Sequence, residues 1–77
     1  IVTLNIRELS IFPQGTVVNE ELLISSGIIK RSVDGVKLLG NGTIENALTV
    51  ELSLVSKGAR EKIIAAGGSV ASEIVQN

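Results

Sequence analysis

Between Ser56 and Gly68 the chain spells out both ends of a helix, and those two ends dictate where the flanking segments must turn. The Ser56 hydroxyl is placed to accept from a free backbone N–H of the first turn, an N-cap worth about 1 kcal/mol. Ala59, Ile63 and Ala66 recur at helical spacing, and Ile64 is expected to widen the apolar face. Gly67 supplies a residue that takes positive φ without strain, and Gly68 lets the chain turn away. Upstream, Asn41-Gly42 between two apolar runs is a tight-turn signal and predicts a hairpin. Residues 37–68 therefore read as strand, turn, strand, capped helix, glycine exit.

The remaining chain is punctuated in the same way. Residues 1–6 alternate, with Val2, Leu4 and Ile6 on one side, which predicts a strand. Residues 7–11 suit one helical turn, stopped by Pro13, and Gln14-Gly15 is a turn before a short extended run at 16–18. Asn19 is placed as an N-cap, with Glu20 and Glu21 where a helix dipole favours anions, and Gly27 ends that helix. Ile28 and Ile29 are expected to be extended, and Asp34-Gly35 to turn into a strand at 36–39. Residues 47–55 read as one longer strand with Leu48, Val50, Leu52 and Leu54 on a common face; residues 70–75 read as a last strand or a tail. An echo runs through this order. Residues 21–27 and 61–67 share an acid, an apolar-rich middle, two small residues and a glycine, 40 positions apart. Two copies fit a repeated helix-to-strand unit and equally fit coincidence.

The residue inventory removes whole classes of chemistry. Seventy-seven residues allow one small domain, and a chain of this size buries only roughly 60% of its unfolded surface. The 44% hydrophobic fraction is almost all Ile, Leu, Val and Ala, with Phe12 the only aromatic, so no platform exists for stacking bases. Without His, Cys or Tyr, the usual general bases, thiol nucleophiles and soft metal ligands are missing. Glu20 and Glu21 are sequence neighbours and point in different directions on a helix, so they form no carboxylate pair. Residues 40–42, Gly-Asn-Gly, lack the third glycine of a dinucleotide fingerprint and the Gly-Lys-Ser/Thr of a nucleotide loop. No enzyme, metal, cofactor or small-molecule substrate is expected. No apolar run reaches the roughly 18 residues of a membrane span, and Ile1 in place of methionine suggests a fragment or a processed chain.

One ordered constellation resembles a known family. Lys37-Leu38-Leu39-Gly40-x-Gly42-x-Ile44, Leu48-x-Val50, and Val55-Ser56-x-x-Ala59-x-x-x-Ile63-x-x-x-Gly67 resemble the signature of ribosomal protein L-fifteen and its L-eighteen-e relatives. Leu4-Asn5-Ile6-x-x-Leu9, Gly15-x-Val17 and residues 21–29 are similar to the same family, so the likeness covers nearly the whole chain. It implies an α/β single domain over residues 1–77, an irregular β-β-α superhelix with short strands and two main short helices. It further implies the C-terminal globular part of a longer chain whose basic, glycine- and arginine-rich extension precedes it. The implied function is that of a structural constituent of the large ribosomal subunit, binding ribosomal RNA and neighbouring ribosomal proteins, in the cytoplasm or an organelle. In that role phosphates are neutralised and shape rather than base sequence is read.

Seven cations are available to meet RNA: Arg7, Lys30, Arg31, Lys37, Lys57, Arg60 and Lys62. Lys30 and Arg31 fall on a loop, where contact residues concentrate. Lys57 and Arg60 lie three apart at a helix start, on one face, where free N–H groups attract phosphate. With Lys37 these are the expected RNA-facing residues. Lys62 falls on another side of the helix and is expected to be solvated or paired with an acid. Gly27, Gly40, Gly42, Ser56, Ala59, Gly67 and Gly68 are expected to build the fold. The competing class is a protein–protein module of the same fold, docking a partner strand along 47–55 if that segment lies on a sheet edge. The net charge of −1 argues for weak nucleic-acid binding by these residues alone. An anisotropy titration of the isolated 77 residues at physiological salt should give no sub-micromolar affinity, and a salt slope below that of about six phosphate contacts.

Overall fold

The fold is that of a computed structural model, which describes residues 2–30, 35–71 and 75–76. Seven short strands alternate between two parallel sheets among the described residues. Strands β1 (Val2–Asn5), β3 (Val36–Leu39), β5 (Leu54–Ser56) and β7 (Val75–Gln76) form the larger sheet, in that order. Strands β2 (Val17–Val18), β4 (Thr49–Val50) and β6 (Ser69–Val70) form the smaller one. Every one of these pairings is parallel and sequential, so the backbone winds as a superhelix, visiting one sheet and then the other on each turn. The turns are unequal: Val2 pairs with Val36, 34 residues on, but Lys37 with Leu54, only 17 on, and Val55 with Val75, 20 on. The first turn is longer because it holds a 3-10 turn (Ile6–Leu9) and helix α1 (Glu20–Ser25); helix α2 (Lys57–Ala65) belongs to the third.

Parallel strands buried on a shared core read as runs of Val, Ile and Leu, and the core is built of such residues. Leu4, Val36, Leu38 and Val55 come from the larger sheet, Val18 and Val50 from the smaller, and Leu23, Ala59 and Ile63 from the helices. Ile6, Leu9, Leu48 and Leu52 fill the corners between sheets.

Both helices close in one way. The Gly27 N–H donates to the Ile24 carbonyl at 3.1 Å and the Ile28 N–H to the Leu23 carbonyl at 3.0 Å. Forty residues later, Gly67 donates to Ile64 and Gly68 to Ile63, each at 2.9 Å. Gly27 and Gly67 sit at φ 84 and 92, the left-handed conformation this terminator requires. The repeated sequence pattern is thus a repeated helix exit, with Leu23 and Ile63 buried at equivalent positions.

Four expectations need correction. Asn41-Gly42 makes no hairpin: β3 pairs with β1 and β5, both parallel, and the chain leaves β3 for the other sheet. There Gly15 donates to the Ala47 carbonyl at 2.7 Å and Thr49 to the Thr16 carbonyl at 3.0 Å, which carries the segment to β2. Residues 47–55 contribute to two strands in different sheets, with Leu48, Val50 and Leu52 buried on the way across. Being central in its sheet, β4 offers no free edge to a partner. Ile28 and Ile29 are not a strand: both amides are spent on the Leu23 carbonyl. Ile64 does not widen the buried face of α2; it is 46% exposed, a helical step of about 100° beyond buried Ile63.

Two glycines hold the turns at backbone contact. A Cβ on Gly68 would overlap the Leu48 backbone, its amide nitrogen lying 2.8 Å away, and a Cβ on Gly40 would lie 2.8 Å from the Ala59 nitrogen. Gly27 has open space around it and a conformational requirement only. Urea unfolding should therefore rank Gly68→Ala and Gly40→Ala, each losing about 3 kcal/mol where backbone must move, above Gly27→Ala, losing about 1 kcal/mol.

Candidate nucleic-acid interface

The carboxyl ends of β1, β3 and β5 lie side by side in the larger sheet, and each delivers a different element to the same rim. The 3-10 turn with Arg7 follows β1, the loop beginning at Gly40 follows β3, and α2 with Lys57 and Arg60 follows β5. Ser56 ends β5 and caps α2, its hydroxyl accepting from Ala59 N–H at 3.1 Å, as the sequence predicts. The first turn of α2 is consequently fixed to the sheet through a buried serine. Asn19 caps α1 in the same manner, accepting from Leu22 N–H at 2.9 Å.

The expected RNA-facing residues fall in different places. Lys57 and Arg60 are exposed together on the outer face of α2. Lys37 is half-buried on the outer face of β3, in register between Thr3 and Leu54. It lies about 10 Å back along the strand direction from Lys57, at roughly 3.3 Å per residue. Lys30 is exposed in the segment after α1, and Arg31 lies outside the described residues. Of the fold-building positions, Ala59 is fully buried, and Gly42 takes φ 96 with Arg7 packed over it, where a Cβ would come 2.6 Å from the Arg7 Cβ.

Lys62 is exposed, in keeping with a solvated residue, but it also has partners that the sequence did not indicate. Its partners are not acids: the ammonium donates to the carbonyls of Gly40 and Gly42, both at 2.7 Å. A single cation on α2 thereby pins the loop that follows β3. Arg7 adds a second tie, its backbone N–H donating to the Asn41 carbonyl at 3.4 Å. No local signal marks either link, because the partners stand 20 or more residues apart. Two clefts flank this loop. One, of about 560 Å³, is lined by Arg7, Ser10, Gly42, Thr43, Glu45 and Asn46; the other, of about 410 Å³, by Thr43, Ile44, Glu45, Lys62, Ala65 and Ala66.

The exposed cations of the rim give it a local positive charge. Among the described residues no group of three or more His, Cys, Asp or Glu could bind a metal ion. Nor, among them, is any helix long and apolar enough to cross a membrane.

Residues 3–71 of this small α/β superhelix match the model of a class of ribosomal proteins. The chain belongs to the family that unites ribosomal proteins L15 and L18e of the 50S subunit with L-twenty-seven-A of the 60S subunit. It is 53% identical over 70 residues to the large ribosomal subunit protein uL15 of Desulfosudis oleivorans, a stretch covering 91% of this chain and 48% of that protein. The chain thus spans about half the length of that relative. The family is one of ribosomal proteins and not of enzymes.

Because the Ser56 hydroxyl caps a buried amide, Ser56→Ala should cost about 1–2 kcal/mol in chemical denaturation, with Ser56→Gly nearer a few tenths.

Proposed function

We infer that this chain is the globular part of a large-subunit ribosomal protein and that it binds ribosomal RNA through its exposed cations. Membership of the ribosomal family carries the reading. The pair Lys57 and Arg60, held on one exposed face by the Ser56 cap, supports it. Lys30, Arg31 and Lys37 extend the contact set along the same domain, on the sequence likeness. The chemistry is phosphate neutralisation: ammonium and guanidinium groups displace the counterions condensed on RNA, and affinity falls as salt rises. With no aromatic residue but buried Phe12, base stacking contributes nothing from the described surface, and recognition rests on backbone and shape. In this role the domain ties RNA segments together during assembly of the large subunit and contacts neighbouring ribosomal proteins. Its place is the ribosome, in the cytoplasm or an organelle.

The natural full-length protein should co-sediment with large subunits in a sucrose gradient. Replacing Lys57 and Arg60 by Gln should weaken binding to deproteinised large-subunit RNA and lower the salt slope by about two, one per phosphate contact. Absence from large subunits would refute the assignment.

A further inference from the structure

The two clefts beside residues 42–45 share Thr43 and Glu45 and together form one groove, bounded by Arg7 on one side and Lys62 on the other. Three observations suit that groove to a run of phosphates. Arg7 is exposed, and the carboxylate of its neighbour Glu8 is engaged elsewhere, accepting from the Asn5 N–H at 2.8 Å. The Arg7 stem lies over Gly42, where the missing Cβ leaves room for it, so the guanidinium is aimed from a packed base. Lys62 gives two of its three N–H donors to Gly40 and Gly42, which leaves one donor and the full positive charge for a ligand. An anion in the groove would meet a planar fork at one end and a fixed ammonium at the other.

We propose that this groove takes a stretch of RNA backbone, with Arg7 and Lys62 each contacting a phosphate. The proposal rests on the RNA-binding reading above and extends it to two residues outside the expected contact set. Lys57 and Arg60 stand on the same α2 that carries Lys62, but on another side of the helix, so the groove is a contact separate from theirs. Among the described residues the acids of the rim are Glu8, Glu61 on the outer face of α2, and Glu45, which lines both halves of the groove. Glu45 is the telling one. Phosphates passing through the groove are repelled by its carboxylate, so removing that charge must strengthen binding.

The test uses the natural full-length protein and deproteinised large-subunit RNA titrated over a range of salt. Arg7→Gln keeps the stem over Gly42 and should weaken binding about threefold to tenfold and lower the salt slope by about one. Glu45→Gln should tighten binding by about twofold or more, whereas Glu21→Gln on α1, which lines neither cleft, should not. A role confined to folding predicts no gain from Glu45→Gln. If Arg7→Gln and Glu45→Gln both match wild type while Lys57→Gln with Arg60→Gln weakens binding, the groove proposal falls and the RNA-binding reading stands. If the groove variants alter only binding to another ribosomal protein, the proposal likewise falls. If the wild type fails to bind the RNA, both are overturned.

Discussion

Gly68 lies against the backbone of Leu48, and Gly40 against the first turn of α2, closer than any side chain would permit. These two contacts set the pitch of the superhelix. In a parallel winding, successive passes through one sheet must stand about 4.8 Å apart, and connections that bulged outward would pull the strands from register. At Gly68 the third turn settles on the second, allowing β6 to pair with β4 through Thr49 and Ser69. At Gly40 the exit from β3 tucks under α2, which keeps β3 and β5 adjacent although only 17 residues separate their paired positions. Hydrophobic burial supplies the drive, but Val, Leu and Ile pack in many ways. The glycine contacts select this one.

The same closure makes the surface. Because every strand of the larger sheet runs in one direction, its carboxyl ends collect on a single rim, and whatever follows them is brought together regardless of sequence distance. Open parallel sheets present ligands with this edge for that reason. Here it gathers Arg7, the 40–42 loop, Lys57 and Arg60, and Lys62 then reaches across to fasten the loop. Near-neutral overall charge and the proposed phosphate contacts are compatible when the fold concentrates a few cations on one edge. Lys62 holds two carbonyls and keeps its charge at the surface.

Local instructions were legible in the sequence, and long-range ones were not. Asn19 and Ser56 cap the helices as read, and Gly27 and Gly67 end them, because each signal acts within a turn of itself. The 40-residue echo proved to be two copies of one helix exit. Asn41-Gly42 misled because a glycine at positive φ looks alike in a hairpin and in a crossover between sheets; the choice belongs to strands far away. Residues 47–55 misled because alternation continues through the break, Leu48, Val50 and Leu52 all being buried while only Thr49 and Val50 pair in β4. Arg7 and Lys62 could be named as cations but not located, since their partners in the 40–42 loop are tens of residues removed. The ordered Gly, Ser and Ala offsets pointed to the family for the opposite reason: they record the tertiary contacts that local pattern cannot express.

Backbone closure at the glycines, on this reading, lays a cationic rim against RNA. A high-resolution cryo-electron microscopy map of the large subunit from the source organism decides the matter. It should show RNA phosphate oxygens within hydrogen-bonding distance of Arg7, Lys62 and at least one of Lys57 and Arg60, on the carboxyl edge of the larger sheet. A rim facing open solvent, or covered by protein with RNA on the opposite edge, would overturn it.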